Sequence, residues 1–134
     1  MFNKTSNLTK YQKMTFKSVL GEGCTLEGKL ESRGNYRIIG HILGDIFELE
    51  DGSGTLVIDK TAHIQGNIYY TNLIVVGTLD GNIYSCGSVE IYPSAIIRGD
   101  IQCKQLNIHP EAKVIGRLKC FNPEQKNIPN EDQP

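Results

Sequence analysis

Apolar and polar residues alternate along this chain in short bursts, and the bursts recur. The unit apolar-x-Gly-x-apolar occurs six times: Leu26-Gly28-Leu30, Ile42-Gly44-Ile46, Ile64-Gly66-Ile68, Leu79-Gly81-Ile83, Ile97-Gly99-Ile101 and Val114-Gly116-Leu118. Its glycines stand 16, 22, 15, 18 and 17 residues apart. Upstream of each unit lies a second alternating segment, at one of two distances. In the long form an apolar residue sits eight before the glycine and a small one four before it: Leu20 with Cys24, Ile58 with Ala62, Ile91 with Ala95, Ile108 with Ala112. In the short form, Ile38 with Gly40 and Val75 with Gly77, the gap closes by two.

Period-two alternation rich in Ile, Val and Leu predicts half-buried strands. Gly, Asn, Asp or Pro follows each burst, as in Gly66-Asn67 and Tyr92-Pro93-Ser94-Ala95, which keeps the strands short and places a corner at each glycine. A repeated unit that cannot bury its own apolar face has to stack on its neighbours. Coils of about 17 residues with three short faces, stacked at about 4.8 Å, predict an all-β fold, a short parallel β-helix of about six coils. The β-helix is expected over residues 18–121, with disordered polar tails at 1–17 and 122–134.

Composition narrows the function. The 134 residues suffice for one domain, and 39% apolar with 22% charged residues is ordinary for a soluble protein. A formal net charge of −1 argues against a nucleic-acid partner held by bulk electrostatics. Neither a signal-peptide pattern nor an apolar run of spanning length occurs, so a cytoplasmic protein with four reduced cysteines is expected. There is no G-x-x-x-x-G-K-[ST] loop to cradle a nucleotide, no Ser-His-Asp arrangement and no facing pair of carboxylates. The expectation is therefore no enzyme, no cofactor and no metal.

The run Val19-Leu20-Gly21-Glu22-Gly23 is followed by Leu26-Glu27-Gly28, by Ile42-Leu43-Gly44-Asp45-Ile46, and by Leu56-Val57-Ile58 leading to Ile64-Gln65-Gly66-Asn67-Ile68. In these features the sequence closely resembles the bactofilins, bacterial cytoskeletal proteins with a short right-handed β-helix flanked by disordered tails. The resemblance runs from about residue 18 to 121 and rests on the ensemble. It implies right-handed coils and self-polymerisation into filaments without polarity, subunits joining head to head and tail to tail. The two coil lengths agree with this hand, because left-handed hexapeptide coils hold a fixed register. The acidic, Gly-rich stretch Phe47–Gly54 departs from the pattern and lengthens the second-to-third connection.

Several residues stand out on this scaffold. A stack of rungs leaves unpaired backbone groups and an apolar cross-section at each end, and no capping helix is evident. Leu20, Leu26 and Leu30 are expected at one junction and Val114, Leu118 and Phe121 at the other, so the first partner is a second copy. Phe47, Tyr69 and Tyr84, each three after its glycine, fall in one outward column. Stacking alone accounts for such a column; the alternative is a docking patch for a cell-wall enzyme or membrane protein of the kind bactofilins are thought to position. The opening Met1-Phe2-Asn3-Lys4 resembles the Met-Phe-x-Lys starts of bactofilins that bind the inner face of the cytoplasmic membrane, which makes Met1, Phe2 and Lys4 the membrane-binding candidates.

Two constellations invite chemistry. His41 and His63, each three before its glycine, share an outward column, and with His109 would mimic the three-histidine site of trimeric β-helical carbonic anhydrases. The reading taken is solvent-exposed histidines near turns; the rival function is a closed trimeric enzyme, acyltransferase-like or carbonic anhydrase-like. Cys103 and Cys120 are expected to point inward, with Cys86 on the same climbing face, as small buried hydrophobes rather than zinc ligands.

Overall fold

The computed structural model describes residue 16 and residues 18–49 and 53–121. Among the described residues eighteen short strands, and no helix, form six rungs of three. The first rung comprises β1 (Ser18–Leu20), β2 (Thr25–Glu27) and β3 (Leu30–Ser32), and the second β4 (Tyr36–Ile38), β5 (His41–Leu43) and β6 (Ile46–Glu48). The third holds β7 (Thr55–Ile58), β8 (His63–Gln65) and β9 (Ile68–Tyr69), the fourth β10 (Asn72–Val75), β11 (Thr78–Asp80) and β12 (Ile83–Tyr84). The fifth consists of β13 (Ser88–Ile91), β14 (Ile96–Arg98) and β15 (Ile101–Cys103), and the sixth of β16 (Gln105–Ile108), β17 (Lys113–Ile115) and β18 (Leu118–Cys120). Each strand of the four inner rungs pairs in parallel with its counterparts above and below, and those of the end rungs with one neighbour each, giving three six-stranded sheets. This is the parallel β-solenoid that the repeat predicts.

The register superimposes the repeated units. Leu26, Ile42, Ile64, Leu79, Ile97 and Val114 make one inward column, and Leu30, Ile46, Ile68, Ile83, Ile101 and Leu118 another. The four central members of each column are fully buried. Each such side chain contributes about 1.5–3 kcal/mol relative to leaving it in water, so the interior columns hold the rungs together. A polar pair is buried apart from these columns, the Ser32 hydroxyl at 2.7 Å from the Tyr70 hydroxyl, which itself donates to the Gly34 carbonyl at 3.0 Å.

Both corner types have physical causes. In the long form the chain makes a hydrogen-bonded turn, with the Ala62 N–H donating to the Asp59 carbonyl and the Ala95 N–H to that of Tyr92, both at 3.0 Å. In the short form a single residue, Ile39 or Val76, rounds the corner, and its N–H and that of the following glycine both donate to one carbonyl on the rung below, Leu20 or Ile58. Gly40 and Gly77 are small because a Cβ there would overlap the backbone of the long turn beneath. The second corner carries an Asx ladder. The Asp45 carboxylate accepts from the Asn67 N–H (2.8 Å), the Asn67 side chain from the Asn82 N–H (3.0 Å), the Asn82 side chain from the Asp100 N–H (2.8 Å), and the Asp100 carboxylate from the Arg117 N–H (2.9 Å).

The Phe47–Gly54 stretch needs correction. Phe47 and Glu48 belong to β6, so the lengthened connection starts only at Leu49. Glu48 fastens it from within the strand: its carboxylate accepts from the Gly54 N–H at 2.8 Å, the Thr71 N–H at 2.8 Å and the Thr71 hydroxyl at 2.6 Å.

Candidate functional site

The two ends of the solenoid are interior structure cut open. Strands β1, β2 and β3 form one edge of the three sheets and β16, β17 and β18 the other, each pairing on one side only among the described residues. Leu20, Leu26 and Leu30 pack partly buried against the core at the first rung, and Leu106, Ile108, Ala112 and Val114 do so at the sixth. Leu118 is 48% exposed although its column-mates Ile46, Ile68, Ile83 and Ile101 are fully buried. Its exposure is that of a core position lacking the next rung. Phe121, 45% exposed, follows it, with its N–H on the Cys103 carbonyl at 2.7 Å and the Lys119 ammonium 5.8 Å from its ring. Leu106 and Ile108 were not among the sequence-predicted end residues, although Gln105-Leu106-Asn107-Ile108 alternates as Ser88-Val89-Glu90-Ile91 does on the fifth rung.

On one flank Phe47, Tyr69 and Tyr84 stack face to face. Ring centroids lie 4.8 Å apart with planes at 6° for the first pair, and 4.9 Å apart at 10° for the second. The spacing is the rung spacing itself, so the sheet register enforces the stack. The Lys29 ammonium sits 5.4 Å from the Phe47 ring at the foot of the column, and Gln102 continues it on the fifth rung.

The histidines divide. His41 and His63 are register partners with ring centroids 6.1 Å apart, edge to face. His63 Nε2 lies 2.8 Å from an Asp80 carboxylate oxygen whose twin accepts from Arg98 at 2.6 Å. The His63 and Arg98 bonds hold the Asp80 carboxyl below the usual carboxylate range. His109 follows β16 in a different sheet, on the sixth rung, and its Nδ1 accepts the Glu111 N–H at 3.2 Å. The three rings therefore do not converge, and among the described residues no group of three His, Cys, Asp or Glu is placed to hold a metal ion.

Cys103 and Cys120 are register partners, as their spacing suggests, but only Cys103 is buried; Cys120 lies on the last rung and is exposed. Burial, with Cys120 beside it, pushes the Cys103 thiol up to about 11, so it stays protonated near neutrality. Cys86 does not continue this column. With Tyr84 opposite Gln102, it is Ser85 that falls below Cys103, and Cys86 lies exposed in the bend toward the next sheet. Met1, Phe2 and Lys4 lie outside the described residues.

A feature the alternation rule passed over lies on the outer face of the first sheet. Val57, Ile74 and Val76 point away from the core, yet are 0%, 2% and 6% exposed, and Phe16 and Tyr92 pack against them.

Comparison with known proteins agrees with this architecture. The family profile described as Bactofilin, polymer-forming cytoskeletal, matches residues 18–119. Bactofilin BacP of Myxococcus xanthus (strain DK1622) is 26% identical over 114 residues, covering 85% of this chain and 46% of the relative, so the chain spans about half that protein's length. The solid-state NMR structure of the cytoskeletal bactofilin BacA is 30% identical with a TM-score of 0.67, over 77% of this chain and 94% of that one. A Thermus thermophilus bactofilin, reconstructed by cryo-EM as double helical filaments, shares the fold at 18% identity and a TM-score of 0.66, over 75% of this chain and 96% of that one. A chain whose six rungs match this profile almost end to end belongs to the bactofilin family of polymer-forming cytoskeletal proteins.

Proposed function

We propose that this chain polymerises end on end without nucleotide, each junction completing the three sheets and the core that a single subunit leaves open. The observation that carries the reading is the pair of unfinished end rungs, with Leu118 exposed in a column whose inner members are fully buried. Strand addition at such an edge gains backbone hydrogen bonds and removes apolar surface from water together. Leu20, Leu26 and Leu30 form one contact and Val114, Leu118 and Phe121 the other, with Leu106 and Ile108 beside them. Subunits join head to head and tail to tail in a filament without polarity. The filament lies at the inner face of the cytoplasmic membrane, held through Met1, Phe2 and Lys4, and positions cell-wall or cell-shape factors through the Phe47–Tyr69–Tyr84 column.

Pelleting tests the assembly. Wild-type protein is expected to sediment in low-salt buffer without nucleotide. Leu118→Arg buries an uncompensated guanidinium at one junction, at a cost of about 3–5 kcal/mol. It is expected to leave dimers joined through their first rungs, seen by analytical ultracentrifugation. A Leu118→Arg protein that folds and still pellets like wild type removes the sixth rung from the contact.

A further inference from the structure

The buried patch on the outer face of the first sheet has no role in the core or at the ends. Outward positions of a solenoid face water, and in this column Arg37 on the second rung, Glu90 on the fifth and Asn107 on the sixth are polar or charged, while the apolar Val19 on the first rung is 48% exposed. Val57 and Ile74 interrupt that series on the third and fourth rungs, with Val76 at the adjoining corner, and all three are nearly inaccessible. Phe16 is one of the side chains packed on them. Its position in the chain makes this informative, because β1, beginning two residues later at Ser18, belongs to the first rung.

A lead-in continuing the line of β1 would run along the sheet's edge, beside the first rung. Phe16 instead reaches a patch two and three rungs higher. Phe16 therefore lies over the outer face of the first sheet, above the edge at which β1 begins. Beyond the patch the surface continues as a shallow groove lined by Glu90, Tyr92, Pro93, Asn107 and Pro110. Fifteen residues precede Phe16. Extended, they reach up to about 50 Å, against about 14 Å for the three rungs from Val57 to the sixth. Their apolar members nearest Phe16 are Tyr11 and Met14, interleaved with Lys10 and Lys13, and Glu90 sets a carboxylate beside the track.

We infer that this outer face is a seat for the chain's own N-terminal segment: residues 11–16 lie along it, Phe16 on Val57 and Ile74, with Met14 and Tyr11 following toward Tyr92. The seat makes the tail leave from the flank of the rod. The first-rung edge, with Leu20, Leu26 and Leu30, is left clear for another subunit, and the lysines are carried on one lateral face.

Tryptic cleavage of the full-length protein after Lys10, Lys13 and Lys17 tests the seat, timed by mass spectrometry. In wild type, cleavage after Lys13 and Lys17 is expected to be at least tenfold slower than in a synthetic peptide of residues 1–20, with Lys4 cut at the peptide's rate. Val57→Thr with Ile74→Thr keeps β-branched side chains in both strands. It is expected to abolish the protection while the melting profile and pelleting persist, and Phe16→Ser to do the same without touching the sheet. Cleavage after Lys13 and Lys17 at the peptide's rate in wild type, or protection unchanged in both variants, overturns the proposal. Protection that disappears when Leu118→Arg dimers are diluted assigns the seat to a neighbouring subunit's segment and overturns it equally.

Discussion

At the scale of single residues the glycine column is the strictest constraint in the molecule. Gly81 has φ +158°, and a methyl group built on its Cα would overlap the Gly66 carbonyl oxygen on the rung below. The same overlap recurs at Gly44, Gly66, Gly99 and Gly116, each against the glycine beneath it. Gly28, first in the column with φ +117°, has among the described residues no rung beneath it and no atom within 4 Å of such a methyl. Gly81→Ala must therefore displace backbone in two rungs, whereas Gly28→Ala carries only the local backbone strain. The expected costs are about 3 kcal/mol or more against about 1–2 kcal/mol. By thermal denaturation followed by circular dichroism, Gly81→Ala melts at least about 10 °C lower, and Gly28→Ala falls well short of that. Equal losses would show that strain at φ, rather than contact between rungs, dictates glycine. The sequence shows where these glycines stand and that they mark corners. The carbonyl pressing on each comes from 15 to 22 residues away, and only stacking reveals it.

At the scale of strands and turns, legibility follows the range of the forces. The strands and the two corner lengths were readable because alternation and turn chemistry are local. The Asx ladder was half readable: Gly-Asn and Gly-Asp recur in the sequence, but the bonds that link them run from rung to rung. Cys86 was misplaced because a fixed count from the glycine assumes a strand that continues, and β12 ends at Tyr84 before the chain bends. The outer patch was missed for a different reason. Leu56-Val57-Ile58 and Leu73-Ile74-Val75-Val76 are unbroken apolar runs, which signal a strand covered on both faces rather than the half-buried alternation of the other rungs. The aromatic column belongs to this scale too. Cross-strand pairs stabilise a sheet by tenths of a kcal/mol to about 1 kcal/mol, too little for two tyrosines to decide folding. Tyr69→Ser with Tyr84→Ser is thus expected to retain filaments in vitro while the fluorescently tagged protein loses its place in the cell. Unchanged placement would leave the column with stacking as its whole role.

At the scale of the whole molecule, the proposals give three surfaces separate tasks: the ends would assemble, the aromatic flank would meet partners, and the flank of the first sheet would carry the basic tail. Residues 1–17 hold Lys4, Lys10, Lys13 and Lys17 and no acidic residue, in a chain whose net charge is −1. Each lysine close to an anionic leaflet adds about 1 kcal/mol, and in the proposed anchor Met1 and Phe2 would add shallow apolar insertion, so one tail alone would bind weakly. A filament presents many tails at once, and after the first has bound the others meet the surface at high effective concentration. Membrane binding should therefore depend on assembly as well as on the tail. Deleting residues 2–10, or changing Phe2→Ser with Lys4→Ser, is expected to abolish co-sedimentation with anionic liposomes while filaments still form. Leu118→Arg, with its tail intact, should retain at most two tails per particle and lose most of the co-sedimentation, by tenfold or more at equal protein concentration. If Leu118→Arg dimers bind liposomes as wild type does, the tail suffices by itself and polymerisation adds nothing to the anchor; if both tail variants still bind, the contact lies on the solenoid.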